Sequence, residues 1–410
     1  MQRFPFARLF RATGILLAVC GAIFAQDIAI TNARIIVGSG PVIPNGTVIV
    51  RGGKIVSAAA GTANTQGLRV IDAKGMSALP GFIDAHKHIN TGPNEKEQMQ
   101  SLLEAGYTTV LSGGGPGDGN ITLRDRIESG QINGPRILPS ERINLRGTPD
   151  EARAAVRAMA AKGIRHTGEI ALTPEPGPPP AEIEVLKATL DEAAKVGVQV
   201  NVHAVSTPAM VAALDAGVRR LVHMPNKDWT SREAAAKAAS TGAIVLGLLA
   251  FGAPTIDRES PAPAPVVFPR DNTARFRDGK PWPEAIVGAN RDPQGRAMGT
   301  EAGYTIINAR TIWDASNNAV GFCTDQNFAD VVVLEHELKS YSIMFSMQDI
   351  FKIMGPNTAA YLNMSDQIGT IEPGKLADIV LMDGNPLEGI HNMLKAKVVL
   401  KGGKVVVDKR

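Results

Sequence analysis

Between residues 81 and 324, eight strand-like segments alternate with helix-like segments, and this alternation restricts the possible folds most strongly. Strands that are joined by helices pair in parallel, and eight such units close into a (β/α)8 barrel. We therefore predict an α/β fold with a TIM-like barrel. The strand-like segments are residues 81–88, 107–112, 136–140, 164–170, 198–203, 219–223, 243–248 and 318–324, and helix-like segments include residues 152–162, 181–195 and 208–216.

The two ends of the chain resemble each other more than they resemble the middle. Residues 27–80 and 367–410 both contain short apolar strands separated by glycine or asparagine turns. Neither stretch is long enough to bury a good core alone. We predict that they combine into one composite β-sandwich domain, and that residues 81–366 form the barrel.

The first 26 residues differ from the rest of the chain. Arg3, Arg8 and Arg11 precede a mostly apolar stretch at residues 12–24, and a plausible cleavage point follows at Ala25 or Gln26. This pattern is typical of a secretory signal peptide. A stable membrane span needs about 20 apolar residues, so we expect none here. The predicted location is secreted or periplasmic.

Charge and cysteine content narrow the possible functions. Removing residues 1–26 removes three arginines and no acid, so the formal charge falls from +3 to 0. No basic run indicates nucleic-acid binding. Cys20 lies in the predicted leader, so Cys323 has no cysteine to pair with in the mature chain. The sequence around Cys20 is an imperfect lipobox, which leaves lipidation as the weaker alternative to cleavage.

Two histidines stand one residue apart at the end of the first predicted barrel strand, in Gly81-Phe-Ile-Asp-Ala-His86-Lys-His88. Alternate residues of a strand share a face, so His86 and His88 point the same way. Paired imidazoles can form half of a transition-metal site. Three further polar residues directly follow apolar runs, namely His203, His223 and Asp325. Barrel enzymes draw their ligands from such strand ends.

These motifs resemble the amidohydrolase superfamily, in particular its imidazolonepropionase-like branch. The resemblance covers nearly the whole mature chain and is most specific at residues 368–380, Ile-Gly-Thr-Ile-Glu-Pro-Gly-Lys-Leu-Ala-Asp-Ile-Val. It implies a distorted (β/α)8 barrel and one or two divalent metal ions, most often Zn²⁺. The implied ligands are His86, His88, His203, His223 and Asp325.

The fourth predicted strand departs from many relatives, which carry a carboxylated lysine there. No lysine lies within residues 164–170, and Lys162 precedes the strand at a helix end. Glu169 is the candidate replacement, because a carboxylate can also bridge two ions or bind one. His166 competes with it, but three residues separate the two, so we expect His166 on the opposite face in a structural role.

Two loops bear on the substrate. Deaminase relatives carry a His-x-x-Glu motif after the fifth strand, whereas this chain has His203-Ala-Val-Ser206. The loop after the third strand contains Arg142 and Arg146, either of which can hold a substrate carboxylate with two parallel hydrogen bonds. An ordinary surface role for these arginines is the alternative.

The expected reaction is hydrolysis of an amide-type C–N bond in a dipeptide-like, N-acyl or cyclic amide substrate, with metal-activated water and Asp325 as the proton carrier. The expected partner is thus a small molecule, and a homo-oligomer is possible. Hydrolysis of an ester, lactone or phosphotriester, a deaminase with one metal, and a non-catalytic binding homologue remain as alternatives.

Residues 251–300 contain eight prolines and follow the seventh strand, so we predict a lid there; a disordered insertion is the alternative.

Overall fold

The computed structural model describes residues 27–89, 91–250, 293–325 and 330–410. The predicted leader at residues 1–26, with Cys20, and most of the predicted lid at residues 251–300 lie outside these ranges. Among the described residues, no helix is long and apolar enough to cross a bilayer.

Among the described residues, strands from both ends of the chain form one connected eight-stranded sheet. The strands are β1 (Ile28–Ile36), β2 (Val42–Arg51), β3 (Lys54–Ala60), β4 (Arg69–Asp72), β5 (Ser77–Pro80), β15 (Ile379–Met382), β16 (Ala396–Lys401) and β17 (Lys404–Asp408). Their order across the sheet is β17-β16-β15-β5-β1-β2-β3, with β4 also paired to β1. The N-terminal and C-terminal strands meet where β5 pairs antiparallel with β15, and Pro80 lies opposite Ile379 in this pairing. Apolar side chains from both ends pack into a core of their own, including Ile30, Val48 and Leu400.

Between these two ends, the described residues contain nine strands that pair in parallel and form the barrel wall. The predicted third strand is divided in two at Pro139, because proline has no N–H to give to a neighbouring strand. The strands are β6 (Phe82–Lys87), β7 (Tyr107–Ser112), β8 (Arg136–Leu138), β9 (Ser140–Glu141), β10 (His166–Ala171), β11 (Gln199–His203), β12 (Arg220–Val222), β13 (Ile244–Gly247) and β14 (Val320–Phe322). The predicted fold class, a barrel with a β domain built from both termini, is confirmed.

Helices follow the barrel strands, and several begin at a capping residue. Thr148 forms a reciprocal capping box with Glu151 at the start of the third helix. The helices are α1 (Glu95–Ala105), α2 (Gly117–Glu128), α3 (Pro149–Ala161), α4 (Pro180–Val196), α5 (Thr207–Ala216), α6 (Arg232–Ser240), α7 (Pro293–Ala315), α8 (Asp330–Ser342), α9 (Met347–Lys352) and α10 (Thr358–Tyr361), with a π-helical turn at Ile353–Asn357 and 3₁₀ turns at Pro386–Glu388 and Ile390–Leu394.

Polar groups close the barrel between β14 and β6. The backbone N–H of Asp325 donates to the carbonyl oxygen of His86 at 2.9 Å. The fully buried carboxylate of Asp84 accepts hydrogen bonds from the backbone N–H of His86 at 3.1 Å and from both the N–H and the hydroxyl of Thr324, at 3.2 and 2.5 Å. Asp84 thereby fixes the two strand ends that carry His86 and Asp325.

Candidate metal centre

Three side chains meet where β6 and β14 end. One carboxylate oxygen of Asp325, Oδ1, lies 3.1 Å from the Nε2 atoms of both His86 and His88. His86 is buried, while His88 is partly open to solvent. Two imidazole nitrogens and one carboxylate oxygen therefore face one another at the C-terminal end of the barrel.

Glu169, from β10, lies in the middle of a second group. Its Oε2 is 3.0 Å from His203 Nδ1, 3.3 Å from His223 Nε2 and 3.7 Å from His86 Nε2. Its Oε1 is 3.7 Å from His88 Nε2. The structure thus brings all six predicted ligand residues together, and the carboxylate of Glu169 contacts both halves of the cluster.

Two of the six residues have a strained backbone. His223 and Asp325 adopt φ angles of +66° and +62°, in the left-handed region that residues other than glycine rarely enter. Such a conformation costs about 1–3 kcal/mol and persists where the surrounding structure enforces it, most often at functional sites. The turn lies directly after β12 for His223 and shortly after β14 for Asp325, so each strand ends sharply at the cluster.

The histidines of the cluster stabilise the ionised forms of Glu169 and Asp325. Burial would raise the pKa of Glu169, but the hydrogen bonds of His203 and His223 and the charge of His86 hold that pKa far below its ordinary value. Burial likewise acts against ionisation of Asp325, and the charge of His223 together with His86 and His88 lowers its pKa well below the usual range. Both carboxylates are therefore ionised at neutral pH.

The residues fit a divalent transition metal. Bonds of about 2.0–2.2 Å from a tetrahedral zinc ion place its ligand atoms about 3.3–3.6 Å apart, close to the 3.1–3.7 Å separations found here. His86 Nε2 and Asp325 Oδ1 are buried and have no partner in hydrogen-bond geometry, although they lie 3.1 Å apart. Two ligand groups can hold an ion, His86 with Glu169 and His223, and His86 with His88 and Asp325.

The sequence model of the amidohydrolase family matches residues 77–406, which span both the barrel and the C-terminal strands. The chain belongs to the amidohydrolase family. The family predicted from the sequence motifs is therefore confirmed. Members of this family are metal-dependent, in agreement with the ligand groups described above.

Individual relatives are distant. The chain is 23% identical over 393 residues to an adenine deaminase of Desulforamulus reducens, covering 92% of this chain and 58% of that protein. It is 32% identical over 180 residues to an N-acyl-D-aspartate deacylase of Alcaligenes xylosoxydans, covering 42% of this chain and 35% of the deacylase. A solved structure assigned as a prolidase from Bifidobacterium longum superposes with a TM-score of 0.75 at 25% identity, covering 94% and 97% of the two chains. The chain thus spans only part of the length of these two sequence relatives.

Only one of the two predicted substrate arginines reaches the metal centre of this amidohydrolase. The Nη2 atom of Arg142 lies 2.7 Å from Glu169 Oε1, and just over half of the Arg142 side chain is exposed. Within the described part of the chain, no hydrogen bond or ion pair connects the side chain of Arg146 with the six ligand residues. Sequence reasoning missed the contact between Arg142 and Glu169, because it depends on how the loop after β9 turns.

Lys162, which precedes the fourth strand, and His166, which begins it, lie outside the centre. Lys162 pairs at the surface with Asp118 at 3.0 Å and with Glu141 at 3.3 Å. His166 is buried, and among the described residues no hydrogen bond or ion pair joins its ring to the six predicted ligands, in contrast to His203, which contacts Glu169. This placement favours the structural role that we predicted for it.

The pH dependence of folding provides a test of His166. Burial, aided by the charge of Arg220, lowers its pKa from 6.5 to about 3. Between these values the unfolded chain binds a proton that the folded chain excludes, so stability falls as the pH drops from 6.5 towards 3, by about 1.4 kcal/mol per pH unit for this one group. We expect His166→Phe to remove that contribution. Denaturant unfolding at several pH values should show a shallower acid slope for the variant, and parallel slopes would contradict the assignment.

Proposed function

We propose that the protein is a secreted or periplasmic, metal-dependent amidohydrolase that cleaves an amide-type C–N bond in a dipeptide-like, N-acyl or cyclic amide substrate. The observation that carries this proposal is the convergence of three imidazoles, from His86, His88 and His223, with two ionised carboxylates at ligand spacing. The fourth imidazole, His203, contacts Glu169 at 3.0 Å. The names deacylase and prolidase, borne by two similar proteins, point to the same class of bond. Export rests on the leader at residues 1–26 alone, and N-terminal sequencing of the mature protein tests it.

Each residue has a defined task in this proposal. When bound, a divalent metal polarises the substrate carbonyl and lowers the pKa of a water molecule. Asp325 carries the proton in this proposal. Its Oδ1 faces the ligand nitrogens of His86 and His88, whereas its Oδ2 lies 4.0 Å from His223 Nε2 and is the oxygen left to accept the proton. The exposed part of Arg142 is available to bind a substrate carboxylate, and Arg146 is the alternative for that task.

Deamination of a nucleobase is the second candidate, suggested by the name of the adenine deaminase relative. Ser206, the fourth residue of the segment that begins at His203, argues against deamination. Ser206 stands where deaminases carry their glutamate, its hydroxyl accepts from the N–H of Ala209 at the start of α5, and it donates to the carbonyl of Pro174. A buried helix cap of this kind cannot shuttle protons as a carboxylate does.

Metal removal and a substrate screen test the proposal together. We expect the purified protein to contain zinc or another divalent metal, to hydrolyse a member of a panel of N-acyl amino acids, dipeptides and cyclic amides, and to lose that activity in a chelator. Added Zn²⁺ should restore it. Product analysis separates the alternatives, because ammonia release from adenine would indicate the deaminase and cleavage of lactones alone an esterase-like enzyme. Protein that binds no metal would contradict the proposal and favour a non-catalytic homologue.

A further inference from the structure

Arg142 binds the carboxylate of Glu169 in the middle of the centre. This carboxylate is therefore only partly available to metal ions. Its Nη2 atom donates to Glu169 Oε1 at 2.7 Å, a short charge-assisted hydrogen bond. The other oxygen, Oε2, faces His203 and His223. Oε1 is the oxygen directed towards His88, at 3.7 Å from its Nε2. If Glu169 is to bridge two ions through its two oxygens, the ion at Oε1 has to share that oxygen with the Arg142 guanidinium.

Two glycines, one just after β7 and one within β10, make room for this arginine. A Cβ atom added to Gly114, just after β7, would lie 2.5 Å from Arg142 Nε, and one added to Gly168 in β10 would lie 3.1 Å from Arg142 Cγ. Gly113 likewise leaves room for the histidines, since a Cβ atom there would lie 3.0 Å from the His86 ring. The Gly113-Gly114 pair thus allows both the imidazoles and the guanidinium to approach the same point. Arg142 therefore lies against Glu169 in a position that the neighbouring backbone accommodates.

The charge balance of the centre favours one ion. Glu169 and Asp325 supply two negative charges, and the four histidines bind metal as neutral ligands. One divalent ion balances the two carboxylates, and the guanidinium adds a further positive charge. A second ion would leave three uncompensated positive charges in a site where Glu169 is only 13% exposed. Repulsion between cations a few ångströms apart is strong where solvent is partly excluded.

We propose that Arg142 restricts the centre to a single divalent ion, because its guanidinium occupies the Glu169 oxygen that faces His88 and its positive charge repels a second ion there. This inference rests on the proposed metal centre. It assigns Arg142 a positioning role towards Glu169 that is separate from any contact with substrate.

Metal stoichiometry tests the proposal in the full-length protein without any assay of turnover. Equilibrium dialysis against buffered Zn²⁺, followed by metal analysis, should give one ion per wild-type chain. In Arg142→Gln a second ion should bind, with an affinity raised by at least about tenfold relative to wild type. Gly114→Ala should act in the same direction, because its methyl group displaces the guanidinium while the arginine remains in the chain. Arg146→Gln, a charge-matched control in the same loop, should still bind one ion.

Electron paramagnetic resonance of the Mn²⁺-loaded proteins gives an independent measure. Wild type should show the signal of an isolated ion, and Arg142→Gln the signal of a spin-coupled pair. Two ions in wild type, or one ion in both folded variants under all conditions, would overturn the inference while leaving the metal centre in place. No metal in any of the proteins would overturn the metal centre itself, and this inference with it.

Discussion

Asp325→Asn is expected to reduce turnover by roughly 10²- to 10⁴-fold, the usual contribution of a general acid–base group, while most of the metal stays bound. Asparagine retains an oxygen that can face His86 and His88, but its amide cannot accept and return a proton at neutral pH. Asparagine also tolerates the left-handed backbone at this position, where φ is +62°. The fold should therefore be preserved.

The measurement compares single-turnover rates of metal-loaded wild type and Asp325→Asn, with circular dichroism as the check on folding. Asp383→Asn is a suitable control, because its carboxylate lies 62% exposed near Lys397 and away from the centre. A folded, metal-loaded Asp325→Asn protein within about threefold of wild type, when chemistry limits the rate, would refute the proposed role.

Glu169→Gln is expected to lower metal affinity by more than roughly 100-fold. Removal of a residue that only supports a ligand typically costs about 10- to 100-fold, and weakening a ligand itself should cost more. The amide has the size of the carboxylate but no charge. Whichever way it is turned, its NH₂ group must face either Arg142 or the pair His203 and His223, which now interact with carboxylate oxygens. The loss of metal should abolish activity at ordinary metal concentrations.

Competition of each protein with a zinc-binding dye measures this effect directly. Glu141→Gln is the matched control, since Glu141 ends the neighbouring strand β9 and pairs at the surface with Lys162. It should retain wild-type affinity. An unchanged affinity in Glu169→Gln would exclude Glu169 from the ligands and would leave His86, His88 and Asp325 as the remaining ligand group.

The position of the centre could be predicted from the sequence because a parallel barrel brings all its strand ends to one rim. A polar residue directly after an apolar run, such as His223 after β12, is therefore placed near every other residue of that kind. The helix bounds were also close, for example residues 181–195 expected against Pro180–Val196 observed. Periodicity was sufficient for the helix bounds and for placing the strand ends, whereas the ligand set itself was implied by the resemblance to the family.

What the sequence did not reveal depends on local backbone geometry and on contacts between distant residues. The left-handed turns at His223 and Asp325 have no glycine to mark them. The contact of Arg142 with Glu169 depends on the room at Gly114, which sequence cannot distinguish from an ordinary turn glycine. The role of Asp84 in fastening β14 to β6 was missed as well, although its position two residues before His86 places it on the same face of the strand.

The pairing of β5 with β15 has a consequence for the order in which the chain can assemble during synthesis. Pro80 and Ile379 are opposite each other in the sheet, yet about 300 residues separate them along the chain. At roughly 5–20 residues per second, a ribosome needs on the order of 15–60 s to make the missing partner. Throughout that interval the edge of β5 is unpaired and can associate with other chains. Joining the two ends of the sheet is therefore a late step in the life of a nascent chain, and the barrel strands emerge before it.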